Sequence, residues 1–271
     1  MSNIRIIPVT TRKGLRAFVN FYYELYKGNK FAVPFLRFDE MNTLSKRKNP
    51  AFEFCEAQYF LAVDGEARIV GRVAAIINRR ANEQWNKKQV RFGWFDFVDD
   101  LEVSQALLNA VEAWGRTKGM TECVGPLGFT DMDREGLLIE GFHHKSTMYI
   151  NYNYPYYKNH MEAMSFYEKD NDWLEYRIRV PEETPVKFAR TAEMIEKRYN
   201  LHVHKFTSRE LVKGGMGREV FHIVNETYKD LYDFQQLTDS QIDKYVNDYI
   251  KKADLNLVTG VVDGNDGNRL I

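Results

Sequence analysis

Tyr59-Phe60-Leu61-Ala62-Val63-Asp64-Gly65-Glu66-Ala67-Arg68-Ile69-Val70-Gly71-Arg72-Val73-Ala74-Ala75-Ile76-Ile77 reads as two strands joined by a turn. Tyr59 to Val63 is aromatic and aliphatic, as a strand packed on a core requires. Asp64-Gly65 is a turn signal because a tight hairpin turn needs positive φ. Arg68 to Ile77 returns as a longer strand, apolar enough at 69, 70 and 73–77 to sit in the middle of a sheet. A third strand follows at Val90 to Val98.

Working outward, Ile4 to Val9 is a short strand, and Pro8 marks its end or a sheet edge. Thr11 can cap a helix whose Leu15, Phe18, Val19, Tyr22, Leu25 and Tyr26 recur at helical spacing up to Gly28. Residues 31–56 are read as loop plus a short helix. On the other side, Asp99 or Asp100 caps a helix with a Val103, Leu107, Val111 and Trp114 face, closed at Gly119. A strand at Thr121–Gly125, a Gly-rich loop over 126–150, a helix opened by Pro155 and a strand from Trp173 to Val180 complete the run. The order is β-α-(α)-β-β-β-α-β-α-β, which predicts an α/β module over 1–180 with a mixed sheet and helices on both faces.

Residues 181–271 begin with a helix at 185–199, with Thr184 as its cap, and a strand at Leu201–Phe206. Capping boxes at Thr207/Glu210 and Thr238/Gln241 predict helix starts. A helix over 217–234, a strand over Leu255–Val262, an Asp263-Gly264 turn and a returning Arg269-Leu270-Ile271 follow. Val19-Asn20 with Tyr22, Leu25 and Tyr26 is echoed by Val224-Asn225 with Tyr228, Leu231 and Tyr232. Ala62-Val63-Asp64-Gly65 is echoed by Val261-Val262-Asp263-Gly264 at a similar offset of about 200 residues. The expectation is a partial second copy of the first module. Because Arg269-Leu270-Ile271 starts a strand that needs further partners, the sequence is also expected to be part of a longer protein.

Composition narrows the function classes. Thirty-eight basic and 38 acidic residues cancel, so no global field favours nucleic acid. Cys55 and Cys123 lie far apart and form neither a disulfide framework nor a zinc motif, which suits a reducing, cytoplasmic setting. No signal peptide is read at the N-terminus, and no apolar run approaches the ~20 residues of a membrane helix.

Several motifs then carry a resemblance. They are Phe92-Gly93-Trp94-Phe95-Asp96 with Asp99-Asp100, Ala113-Trp114, Gly125-Pro126, Gly136 to Phe142, and Tyr152-Asn153-Tyr154-Pro155-Tyr156-Tyr157. With the element order, they make the chain similar to the GNAT superfamily of acyl-CoA-dependent N-acyltransferases, and more closely to a divergent bacterial group built from two such modules. The resemblance implies a splay between the fourth and fifth strands that takes acetyl-CoA or a longer acyl-CoA. It implies a pyrophosphate on the following helix N-terminus, which places cofactor binding at Asp96, Phe97, Val98 and Ser104. It also implies a tyrosine that protonates the leaving thiolate. Met161 stands at the family's tyrosine position, so Tyr156 and Tyr157, one turn earlier, are the candidates. A small-molecule or peptide amine is the acceptor implied, with the protein acting alone or as a homodimer. The sequence departs from the family at Asp99-Asp100-Leu101-Glu102, where glycines are expected and three carboxylates stand. The alternative reading is therefore a binding or scaffold protein that keeps the fold without the pyrophosphate loop.

The remaining constellations are weaker. Asp131-Met132-Asp133-Arg134-Glu135-Gly136 imitates a calcium loop, but Phe142 stands where the closing glutamate belongs, so no metal is expected. Asp131, Asp133 and Glu140 are instead candidate substrate-pocket residues on a long loop. His143, beside His144, is a candidate base. His202 and His204 lack a third ligand, and Gly214-Gly215-Met216-Gly217 lacks the P-loop ending.

Overall fold

The computed structural model describes residues 4–231 and 234–271. Two compact units emerge, one running to Asp172 and including 234–235, the other containing 173–231 and 236–271. In chain order the first contains β1 (Arg5–Pro8), α1 (Arg12–Leu25), α2 (Arg37–Thr43), β2 (Cys55–Val63), β3 (Ile69–Asn78), α3 (Arg79–Gln84), β4 (Gln89–Phe97), α4 (Leu101–Thr117), β5 (Glu122–Val124) and α5 (Tyr156–Ala163).

Its sheet has the order β1-β2-β3-β4-β5, antiparallel through β4 and parallel between β4 and β5. β3 explains its own composition. Val73, Ala75 and Ile77 belong to the core shared with Val103, Leu107, Leu108 and Val111 of α4, whereas Ala74 and Ile76 belong to the core shared with Phe18 and Val19 of α1. A strand covered on both faces has no solvent side on which to place polar residues.

The caps follow local chemistry. Thr11 accepts from Gly14 N–H to start α1, and Asp100 accepts from Glu102 N–H to start α4. The hairpin between β2 and β3 differs from a two-residue turn. Asp64 N–H donates to Arg68 C=O, Asp64 Oδ1 accepts from Glu66 and Arg68, and the positive φ of 61° falls on Ala67 rather than Gly65. An acidic side chain that can satisfy two loop amides moves the left-handed position away from the glycine.

The second unit contains α6 (Val186–Tyr199), β6 (Leu201–Lys205), α7 (Ser208–Val212), α8 (Met216–Tyr228), α9 (Asp239–Asp248), β7 (Thr259–Asp263) and β8 (Arg269–Leu270). Its sheet is antiparallel in the order β6-β7-β8. Phe206, Leu211, Val262 and Leu270 form its core with Val220 and Ile223 of α8. Both capping boxes form, at Thr207/Glu210 and Thr238/Gln241. Pro185, not Thr184, occupies the cap of α6. Part of the helix read over 217–234, and Tyr232 of the internal echo, lie outside the described residues.

Two elements are corrected. The strand read over Leu255–Val262 starts only at Thr259, because Leu255–Leu257 forms a 3-10 turn opened by the Asp254 side chain. Trp173 to Val180 forms no strand: the segment pairs with no sheet and its side chains are exposed. Its apolar alternation satisfies the period of a strand, but a strand also needs an edge to pair with.

Candidate functional site

Arg72 stands in the apolar β3 and is almost completely buried. A buried guanidinium requires a partner, and the sheet register supplies it by setting Arg72 opposite Asp96 of β4. Arg72 Nε and Nη2 both reach Asp96 Oδ2 at 2.7 Å, and Nη1 donates to Phe18 C=O at 3.0 Å.

Between Arg72 and Ala74 of β3, β4 advances from Asp96 to Gly93, which inserts one extra residue into β4. Trp94 takes the bulge position with φ of 45°. Such a bulge bends its strand and re-aims side chains. The parallel ladder to β5 ends just before the bulge, at Arg91 with Val124, and the chain that follows β5 stays close, Leu127 N–H donating to Phe92 C=O at 2.8 Å. Gly93 allows this approach, since a β-carbon there would lie 2.3 Å from Leu127 C=O. Trp94 Nε1 donates to the buried Glu40 at 2.7 Å, and Arg134 Nη2 reaches the same carboxylate at 2.6 Å.

A polar cluster of tyrosines gathers at Asp96. Tyr26 Oη donates to Asp96 Oδ1 at 3.3 Å and lies 3.1 Å from Tyr157 Oη, which is 3.5 Å from the same oxygen. Tyr22, one turn before Tyr26, has a buried hydroxyl with no hydrogen-bond partner in the structure. Burial, then the Asp96 charge, raises the Tyr22 phenol well above its usual range; burial, then Tyr157 and Asp96, does the same for Tyr26. Tyr22, Tyr26, Phe35 and Tyr152 form an aromatic cluster beside it, with Tyr154 stacked on Tyr26 at 5.0 Å.

The residues predicted for acyl-CoA run from the far end of β4, at Asp96, Phe97 and Val98, into the first turn of α4, at Ser104. Val98 N–H donates to Val70 C=O of β3, so the polar groups of Phe97 face the other way. There, Phe97 N–H donates to Tyr157 Oη at 3.2 Å and Phe97 C=O accepts from Tyr156 Oη at 2.5 Å. Ser104 is fully buried, donates to Leu101 C=O at 3.0 Å, and lies 2.9 Å from His160 Nδ1, whose Nε2 is 2.9 Å from Asp99 Oδ1. With Asp100 as cap and no glycine from 99 to 104, this helix start does not fit a pyrophosphate.

Tyr156 and Tyr157 are therefore brought to the Asp96 cluster. Burial, followed by Asp96, raises both phenols far above their usual range, which keeps them protonated. His143 is not brought there: it is exposed on the loop with its ring against His144. Asp133 turns inward and accepts from Phe129 and Thr130 N–H at 2.8 and 3.3 Å, closing its own loop. Asp131 is half-buried and Glu140 exposed. No group of three or more His, Cys, Asp or Glu among the described residues is arranged to hold a metal.

The sequence reading missed Tyr22, Tyr26, Glu40, Arg72, Arg134 and His160 as site residues. Arg72 carried a usable signal: one cation inside an otherwise apolar strand demands an acid on a neighbouring strand, and β4 carries one acid, Asp96. The tyrosines carried none, because their helical spacing is equally that of core residues.

An antiparallel β1–β4 run continued by a parallel β5, helices on both faces and a bulged, diverging β4 define a GNAT-like fold for the first unit. The likeness to the GNAT superfamily read from the sequence holds at the level of fold. No protein-family model matches the chain. It is 32% identical over 157 residues to Protein YghO of Escherichia coli K12, covering 58% of this chain and 40% of that protein. It is 25% identical over 245 residues to a bacterial ceramide synthase of Caulobacter vibrioides, covering 89% of this chain and 62% of that protein. The chain thus spans 40% and 62% of the lengths of these relatives. Among solved structures, a putative acetyl transferase from Pyrococcus furiosus is similar with a TM-score of 0.35 and 14% identity, over 65% of this chain and all of that one. A GCN5-related glucosamine N-acetyltransferase region of a fungal multi-domain β-N-acetylglucosaminidase gives 0.45 and 11%, over all of this chain and 27% of that one.

Proposed function

We propose that this chain is part of an acyl-CoA-dependent N-acyltransferase, and that its first unit binds the acceptor amine at the Asp96 cluster. The observation that carries this reading is the bulge at Trp94, which lies just past the end of the β4–β5 ladder and beside Asp96, whose carboxylate Tyr26 reaches. The acyl thioester supplies the activated carbonyl, on which a C–N bond forms as the C–S bond breaks. Asp96 Oδ1, held by tyrosine contacts of 3.3 and 3.5 Å, and the unpaired Tyr22 hydroxyl are polar anchors for an amine and a neighbouring hydroxyl. The proton lost by the amine goes to the leaving thiolate, and Tyr156 and Tyr157, kept protonated by burial and Asp96, would act there as hydrogen-bond donors. The aromatic walls and the ceramide synthase relative favour an amino alcohol on a long apolar chain over a peptide amine.

A second reading is favoured by the far end of β4. Phe97 is capped by two tyrosines and the α4 start carries Asp99, Asp100 and Glu102, so the first unit keeps the fold without binding acyl-CoA. Within either reading, residues 200–271 start a second module. Supporting this, β6-β7-β8 run antiparallel in chain order as β1-β2-β3 do, with helices between their first two strands.

Calorimetry with acetyl-CoA and long acyl-CoAs, joined to thiol-release assays with a long-chain amino alcohol, tests the choice. Binding with turnover that falls in Tyr22→Phe and Asp96→Asn supports the acyltransferase. Absence of acyl-CoA binding to the chain assigns the first unit to the scaffold reading.

A further inference from the structure

The stretch from Lys27 to Lys48 departs from the neutral balance of the chain. It has six cations (Lys27, Lys30, Arg37, Lys46, Arg47, Lys48) against two acids, Asp39 and Glu40, a surplus of four. Glu40 is buried and paired to Arg134, so its charge is turned inward. The six cations are exposed. Among them, at the start of α2, Leu36 is 50% and Phe38 59% exposed. Phe35 between these elements is buried in the aromatic cluster with Arg134 against its ring, which fixes the base from which Leu36 and Phe38 project.

A second loop reaches the same place. Ser146 N–H donates to Phe31 C=O at 2.9 Å, and Val33 N–H donates to Ser146 Oγ at 3.0 Å. This sets Met148 and Tyr149, the latter 67% exposed, beside the 31–38 stretch. Exposed apolar side chains interleaved with Lys and Arg match an interfacial lipid surface, where the apolar groups enter the headgroup boundary and the cations meet anionic lipids. A protein partner fits less well, because the cores of protein interfaces are depleted of charge, lysine above all.

We propose that the rim of Leu36, Phe38, Met148 and Tyr149, with the cations of residues 27–48, docks the first unit on an anionic lipid bilayer. The rim borders the aromatic cluster, since Phe35 of that cluster directly precedes Leu36, so the bilayer would supply the acceptor there. That last step rests on the lipid-amine reading above; the docking itself does not.

The test is flotation of the full chain with phosphatidylcholine vesicles, with and without phosphatidylglycerol. Binding is expected only with phosphatidylglycerol and should weaken as salt rises. Leu36→Ser with Phe38→Ser should lower partitioning by about tenfold or more, and Lys46→Glu with Arg47→Glu should lower it by a similar factor. Phe166→Ser, 92% exposed outside the rim, should leave it unchanged. Circular dichroism checks that each variant folds. Equal binding to both vesicle types, no binding to either, or an equal loss in the Phe166 variant overturns the proposal. Transfer to a soluble amine without vesicles is measured in parallel: its absence with vesicle binding intact removes the acyltransferase reading and leaves the docking surface standing.

Discussion

Arg72 and Asp96 form a buried pair whose partners are each unaffordable alone. Removing one leaves an uncompensated charge, so Arg72→Met should destabilise by about 3–5 kcal/mol in urea unfolding. Arg72→Met with Asp96→Leu should recover most of that loss, because the hydrophobic pair carries no stranded charge. A double variant no more stable than the single one would contradict this account. Asp133 gives a pH prediction. Burial raises its carboxyl from 3.8 to about 6, against the lowering by its two backbone hydrogen bonds. The folded protein therefore holds this proton more tightly than the unfolded chain. The contribution is full below about pH 4 and is lost as pH rises through about 6, by at most about 3 kcal/mol. Asp133→Asn keeps an oxygen for the Phe129 and Thr130 amides. Its melting temperature relative to the native chain should climb across that window and then level off. A constant difference would contradict the assignment.

At the scale of elements, the β2–β3 hairpin places an alanine where glycine is favoured. Ala67 is exposed at φ of 61°. Ala67→Gly should stabilise by about 0.5–1 kcal/mol, since relief of the left-handed strain exceeds the added freedom of the unfolded chain. A thermal shift to lower temperature would mean that the turn relaxes differently. Elements were legible where local chemistry decides them. Thr207/Glu210 and Thr238/Gln241 are capping boxes in the sequence and in the fold, because both partners lie within one turn. The Asp64-Gly65 turn was legible as a turn but not in its geometry, since Asp64 has two amides to satisfy. Trp173 to Val180 was misread because alternation records which residues want burial, and strand formation depends on a neighbour that sequence spacing does not specify.

For the whole molecule, the division into two units predicts where the chain is cut. Lys169, Arg177 and Arg179 are exposed in a segment without helix or strand. Trypsin should cleave here before it cleaves β2–β4, giving two fragments that mass spectrometry assigns to either side of the segment. Early cleavage within the first sheet would contradict the division. By itself the sequence determined the five strands of the first unit, the helices α1, α4 and α5 and its α/β class, because periodicity and caps are written in neighbouring residues. It also determined that Asp99-Asp100-Leu101-Glu102 departs from a phosphate-binding helix start. Only the tertiary structure decided that Arg72 meets Asp96, that Tyr22, Tyr26 and Tyr157 gather around that carboxylate, and that Tyr156 and Tyr157 close the polar groups of Phe97. The physical reason is sequence separation: Tyr26 and Asp96 are 70 positions apart and Tyr26 and Tyr157 are 131 apart. Their meeting depends on the register of β3 against β4 and on one extra residue at Trp94, which no local pattern records.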